Sequence, residues 1–245
     1  MDLFGLTDRG KVRQDNQDCI LLNKEHRLFI VADGMGGHSH GEIASKMAVN
    51  TINNDIQEHL AAERAEHPDN DAAITDLLKK AFRLAHEEIY NYSQKLPDHQ
   101  TMGTTLSLLL FRKNKVYLGH IGDSRIYRLR AGYLEKLTKD HTEIQDLVDA
   151  GLISEEDAEN HRLSHVLTRA LGVGDKNKPD IHILDVEAGD KYLITSDGIF
   201  RVVNLPEVQE VLASSNTAKE KCGILLESAL QKGSPDNVSV IILEL

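Results

Sequence analysis

Three apolar runs in this chain end on an aspartate beside glycine or serine. LFIVADG delivers Asp33, YLGHIGDS delivers Asp123 and YLITSDG delivers Asp197. A fourth acid, Asp236 in SPDN, stands just before the last apolar run. Any one of these alone is ordinary turn chemistry, because Asp and Gly suit tight turns. Strands packed side by side, however, would bring such ends to one rim, and four carboxylates there repel one another unless a cation lies between them. The donors on offer are carboxylates and backbone carbonyls, with no cysteine cluster. Hard oxygen ligands of this kind suit Mg²⁺ or Mn²⁺ better than Zn²⁺. Gly34, directly after Asp33, has no side chain to keep its carbonyl from a metal. Arg13, five residues before Asp18 in RGKVRQDNQD, adds a guanidinium suited to a bidentate grip on phosphate. Two histidines, His38 and His40, close the glycine-rich stretch.

The elements that must position these residues are short strands and longer helices. Strands are expected over 2–7, 19–23, 27–32, 104–112, 115–121, 125–130, 181–185, 191–195 and 237–245, several joined by tight turns that imply antiparallel pairing. Helical periodicity runs over 42–60 and over 71–92, where Ile74, Leu77, Leu78, Ala81, Phe82, Ala85 and Ile89 form one stripe. Thr217 with Glu220 reads as a capping box opening a late helix. Helix pairs between runs of hairpin strands imply an α+β layered domain. Nothing of linker composition divides residues 1–245, so one domain is expected. The stretch 140–172 is polar and acidic, with short helical hints, and reads as a flap inserted in that domain.

Composition excludes several classes. With 39 acids against 28 bases the formal charge is −11, which argues against a general nucleic-acid or anionic-membrane binder. No apolar run approaches the ~20 residues of a membrane span. The opening MDLFGLTDRGK lacks a basic region followed by an apolar core, so a cytoplasmic location is expected. The two cysteines, Cys19 and Cys222, form no CxxC pair, and neither is followed six residues on by arginine, so the loop of a cysteine-nucleophile phosphatase is missing.

Six motifs then occur in one order: Arg13-x-x-Asn16-Gln17-Asp18, Asp33-Gly34-Met35-Gly36-Gly37-His38-x-x-Gly41-Glu42, Met102-Gly103-Thr104-Thr105, Gly119-His120-x-Gly122-Asp123-Ser124-Arg125, Ser196-Asp197-Gly198 and Asp236-Asn237. In these the chain resembles the metal-dependent protein Ser/Thr phosphatases, the type 2C or PPM family, in their compact bacterial form. The resemblance implies a four-layer α-β-β-α sandwich of two antiparallel sheets flanked by helices, with two Mn²⁺ or Mg²⁺ ions in a cleft at one edge. By the same resemblance Asp33 bridges both ions, Asp197 and Asp236 hold the first, and the Gly34 carbonyl helps hold the second, with Asp18 acting directly or through water. Asp123 with Asp197 matches a third metal position, and Arg13 binds the substrate phosphate. Hydrolysis is expected by direct attack of a water or hydroxide between the two ions, without a phosphoenzyme. Gln17 stands where many members carry Glu. Met35 stands where many carry His, so the general acid is expected to be His38, three residues on, or a metal-bound water. The implied partners are proteins phosphorylated on Ser or Thr, and also Tyr, in opposition to bacterial Ser/Thr kinases; a monomer is expected.

Plainer readings apply to the neighbours. His40 reads as loop polarity, His120 as a packed strand histidine, Thr104 and Thr105 as a close-packed strand start, and Ser124 and Arg125 as fixing a strand end. Two rival functions are a catalytically silent phosphoprotein-binding module on this fold and a metal-dependent phosphodiesterase or nuclease. A set of self-repelling acids speaks against the first, and the net charge against the second.

Overall fold

Side-chain alternation along the strands decides the architecture. In the strand β3 (Leu28–Gly36), Leu28, Ile30 and Ala32 point one way and Phe29 and Val31 the other, and all five are fully buried. A strand apolar on both faces must be covered on both. The structure, a computed structural model, describes residues 1–37, 40–63, 70–96, 101–158, 161, 163, 165–175 and 177–245. It meets that need with four layers.

One sheet holds β2 (Asp18–Asn23), β3, β5 (Leu106–Arg112), β6 (Lys115–Ile121) and β9 (Asp180–Asp185) in that order, with the short β4 (Met102–Thr104) paired to the far end of β3. The other holds β1 (Asp2–Asp8), β11 (Val238–Glu244), β10 (Lys191–Thr195), β7 (Arg125–Arg130) and β8 (Tyr133–Lys136). Every pairing among them is antiparallel. Phe29, Val31, Leu109, Phe111, Tyr192, Ile194 and Ile241 meet between the sheets. The opposite faces of the same strands take the helices. Helices α1 (His40–Glu63) and α2 (Asp71–Ser93) lie on the first sheet, against Leu28, Ile30, Leu108 and Leu110. Helices α5 (Leu205–Ala213) and α6 (Ala218–Gln231) lie on the second, against Tyr127, Leu193, Val240 and Ile242. The expected four-layer α+β sandwich is the fold observed.

Local signals account for the helix starts. Asn70 caps α2 by accepting from Ala72 N–H, and the Thr217–Glu220 capping box opens α6. Helix α5 was not among the expected elements, although Leu205, Val208, Val211 and Leu212 stand at helical spacing; only Val208 and Leu212 of its nine residues are fully buried. Its signal was the pair Asn204 and Pro206, a cap followed by a proline in the first turn. The expected strand 104–112 is two strands broken at Thr105, and 27–32 runs on to Gly36. Between β8 and β9, α3 (Glu143–Asp149) and α4 (Glu155–Ala158) occupy the stretch read as an insertion. Bridges Thr142 to Leu167 and Thr104 to Leu171 tie that stretch down. Among the described residues no helix is long and apolar enough to cross a membrane.

Candidate metal centre

The two sheets bring the acids together at one end. Asp18, the first residue of β2, stands opposite Asp33 in the β2–β3 register. Because β3 continues past its apolar run, Asp33 and Gly34 are strand residues and not turn residues, which corrects the expected strand end at Ala32. The strand is pinned there from both sides. Gly34 N–H donates to the Gln17 carbonyl (3.1 Å) and Asp33 N–H to Thr105 Oγ1 (3.0 Å), while the Asp33 carbonyl accepts from Thr105 N–H and from Thr104 Oγ1, each at 2.9 Å. Asp123 follows β6 through Gly122, whose φ of 107° favours glycine and where a Cβ would lie 2.5 Å from Thr105. Asp197 follows β10 and Asp236 precedes β11. Arg13, Asp33, Gly34, Asp123, Asp197 and Asp236 all line one cleft of about 840 Å³, and Asp18 is buried behind it at 5 % exposure.

Burial and mutual repulsion dominate the electrostatics. Burial, then the charges of Asp18, Asp197, Asp123 and Asp236, hold the Asp33 carboxyl well above the usual carboxylate range. Asp18 is pushed up to about 7 by burial and by Asp197 and Asp236, against hydrogen bonds from Ser239 and Ser196 that act the other way. Asp123 is pushed up to about 8 by burial, Asp197 and Asp140, and Asp197 is raised by burial in spite of Arg201. Two acids lean on arginines: Arg13 donates to Asp236 Oδ2 at 2.8 Å, and Arg201 donates to Asp197 Oδ2. Asp18 Oδ2 accepts from Ser196 (2.8 Å), just past the end of β10, and from Ser239 (2.6 Å) in β11 of the other sheet.

The residues fit hard divalent cations. Asp18 Oδ1 and Asp197 Oδ1 are buried with no hydrogen-bond partner, a costly arrangement that a cation would relieve. A Cβ at Gly41 would collide with the Gln17 side chain and stand 2.8 Å from the Gly34 carbonyl oxygen, so only glycine lets these three segments meet. Among the described residues no three His, Cys, Asp or Glu side chains close around one point as a finished single-ion cage. The acids instead stand spread along the cleft lining.

Of the expected site residues, His38 lies outside the described residues. His40 begins α1, its ring nitrogen 2.8 Å from the Gly37 carbonyl. His120 is the packed histidine expected: fully buried, bonded to Ser107 Oγ and the Lys139 carbonyl, and lowered to about 3 by burial. Arg125 grips Asp140 through Nε (3.0 Å) and Nη2 (2.7 Å). Two residues were given no role by sequence. Arg201 is one, although its i+4 spacing from Asp197 was a readable signal. Asn237 is the other: it accepts from Gln17 N–H (2.9 Å) and donates to the carbonyls of Arg9 (2.8 Å) and Asp15 (3.0 Å), stapling the loop that carries Arg13.

A two-sheet sandwich with an aspartate-lined cleft at one edge, and an arginine on its rim, is the architecture of a metal-dependent phosphatase. The sequence pattern of the Protein phosphatase 2C family matches residues 7–232. The Serine/threonine phosphatase stp of Listeria monocytogenes is 37% identical over 97% of this chain and 93% of its own. The crystal structure of the Mycobacterium tuberculosis serine/threonine phosphatase PstP/Ppp superposes with a TM-score of 0.87 at 36% identity, covering 99% of this chain and 98% of that one. The catalytic domain of PstP solved in complex with 2 manganese ions has a TM-score of 0.82 at 37% identity, over 98% and 96% of the two chains. The chain belongs to the protein phosphatase 2C family.

Proposed function

We propose that the chain removes phosphate from phosphoserine and phosphothreonine in proteins with two Mn²⁺ or Mg²⁺ ions, and that it opposes Ser/Thr kinases. The convergence of Asp18, Asp33, Asp123, Asp197 and Asp236 on one cleft, two of them with unsatisfied buried oxygens, carries the reading. The charge balance supports it. Six aspartates face three arginines along the cleft lining, a field that repels a phosphate dianion until divalent ions reverse it.

In this reading Asp33, Asp197 and Asp236, the Gly34 carbonyl and Asp18 hold the two ions, with Asp123 and Asp197 offering a third position. Divalent ions supply, when bound, a Lewis acid for the phosphoryl group and a nucleophilic water near neutral pH. The chain supplies placement. Arg13, 54% exposed and tethered through one nitrogen to Asp236, keeps further N–H groups free to receive the equatorial phosphate oxygens. Asn237 fixes the loop behind it. No thiol is poised to form a phosphoenzyme: Cys222 is pushed up to about 12 by burial, and burial raises Cys19 as well. Residues of the stretch 140–172, among them Leu167, Thr168 and Arg169, form one wall of the cleft, which supports its reading as a flap within a single domain.

The test is an Mn²⁺-dependent assay on a phosphothreonine peptide, p-nitrophenyl phosphate and a bis-aryl phosphate. Release of phosphate from the two monoesters is expected. Cleavage of the diester alone, or no hydrolysis at saturating Mn²⁺, would overturn the proposal.

A further inference from the structure

One residue joins the cleft wall to the body of the protein with every polar group it owns. The backbone N–H of His141 donates to the Gly122 carbonyl (2.8 Å), and its own carbonyl accepts from Thr168 N–H (2.9 Å). On the imidazole, Nδ1 lies 3.1 Å from Gly122 N and Nε2 3.1 Å from Asp180 Oδ2. A backbone N–H only donates, so Nδ1 carries the lone pair and Nε2 the proton. The ring is 2% exposed and packs 4.8 Å from that of His120. Asp180 in turn accepts from Arg169 Nη1 through its other oxygen (2.9 Å). At the two ends of this chain of bonds stand two residues of the cleft lining, Asp123 just after Gly122, and Arg169.

We infer that His141 is a positioning residue for the phosphatase: through Gly122 it sets the aim of Asp123, and through Asp180 that of Arg169. Gly122 takes a backbone conformation that few other residues adopt, with both its N–H and C=O held by His141, so the turn before Asp123 has little freedom of its own. Arg169, fixed in the same way, offers a directed cation to a phosphopeptide lying along the wall formed by 167–170. A histidine that merely filled the core would need neither a defined tautomer nor an acid behind it.

The inference rests on the proposed function for its kinetic consequences but not for its geometry, and the two are separated by experiment. Amide hydrogen exchange at Gly122 needs no activity. In His141→Ala it is expected to quicken about tenfold, the worth of one hydrogen bond. In His141→Asn, whose amide oxygen replaces Nδ1 as acceptor, protection is expected to return. In the Mn²⁺-loaded enzyme, His141→Ala is expected to lower kcat/KM for a phosphothreonine peptide by about 10–100-fold, as losses of residues behind a metal site do. Asp180→Asn is expected to raise KM for the peptide more than KM for p-nitrophenyl phosphate, which has no peptide to lay against Arg169. Should His141→Ala fail to fold, His141→Gln, whose longer side chain moves the acceptor away from Gly122 N–H, is expected to quicken Gly122 exchange in the same direction. Unchanged Gly122 exchange in His141→Ala, or in His141→Gln where Ala does not fold, overturns the link to Asp123, and equal KM changes on both substrates in Asp180→Asn overturn the link to Arg169. Failure of the unaltered enzyme on both substrates refutes the phosphatase reading instead, and the exchange result still decides the role of His141.

Discussion

Replacing Asp18 by asparagine should make the chelator-treated protein more heat-stable at pH 8, although it removes an acid from the centre of the site. Asp18 is 5% exposed and its carboxyl is pushed up to about 7, first by burial and then by Asp197 and Asp236. In the unfolded chain it titrates near an ordinary value of about 3.9. The folded state therefore holds this proton more tightly than the unfolded state does. The stability linked to it is complete below pH ~4 and is lost as the pH rises to about 7, a loss of about 4 kcal/mol by linkage. Asparagine carries no charge, and its oxygen can still accept from Ser196 and Ser239. Its NH₂, however, takes the place of the unpartnered Oδ1, at a cost of about 1–3 kcal/mol. The net gain at pH 8 is about 1–3 kcal/mol, or about 2–12 °C in Tm for a chain of this size. Calorimetric melts of both proteins in chelator at pH 5 and pH 8 measure it, with the gain shrinking or reversing at pH 5. In excess Mn²⁺ the order should invert, because ligand binding stabilises the intact site. If Asp18→Asn melts below the unaltered protein at pH 8 in chelator, the picture of acids repelling one another in a buried seam is wrong.

The Arg13 side chain is 54% exposed, so Arg13→Ala should change unfolding free energy by less than about 1 kcal/mol. It should lower kcat/KM for a phosphopeptide by about 10–150-fold, the worth of a hydrogen bond to a charged group, with partial recovery in Arg13→Lys; steady-state kinetics and denaturant melts read both. Asp33→Ala and Asp197→Ala should each lose nearly all turnover at saturating Mn²⁺ with unchanged circular dichroism, and near-normal rates would remove these residues from the centre. Gly34→Ala places a Cβ 2.0 Å from the Gly41 carbonyl oxygen and 2.7 Å from that of Gln17, both backbone atoms that cannot swing aside. A destabilisation of about 1–3 kcal/mol or more is expected in urea melts, and a silent substitution would contradict the close approach of these segments.

Sequence made the acids legible and left their setting hidden, for physical reasons. Asp33, Asp123 and Asp197 could be read because each terminates an apolar run, and β-strands leave such a trace. The side of the sheet that each strand residue faces could not be read. Strands covered on both faces lose the polar alternation that marks inside from outside, and Leu28 and Phe29 look alike in the sequence although they enter different layers. Helix α5 escaped because it is short, nine residues with only Val208 and Leu212 fully buried, although Val211 also packs on the core. Asn237 and His141 escaped for another reason. Their roles are hydrogen bonds to residues far along the chain, as from Gln17 N–H to Asn237 across 220 positions, and no local pattern announces a bond of that range. Arg125 shows the same limit from the other side, since its commitment to Asp140 appears only when the turn between β6 and β7 meets the start of the inserted stretch.

The acids also lie where they bear on the packing of the whole fold. Asp18 belongs to one sheet, and of the serines that hold it Ser239 belongs to the other and Ser196 directly follows that sheet's β10. Asp33 and Asp18 come from the first sheet, Asp197 and Asp236 from the ends of strands in the second, and Asp123 from the connection between them. Charge repulsion among these residues therefore acts across the seam between the sheets, against the apolar contacts of Phe29, Phe111, Tyr192 and Ile241 that close it. A cation shared by acids of both sheets would replace that repulsion with attraction at the same seam. In the proposed reading, metal binding and sheet-to-sheet packing would then be one equilibrium seen from two sides. Substitutions in the inter-sheet core, far from any acid, should shift metal affinity for the same reason that substitutions among the acids shift the melting temperature.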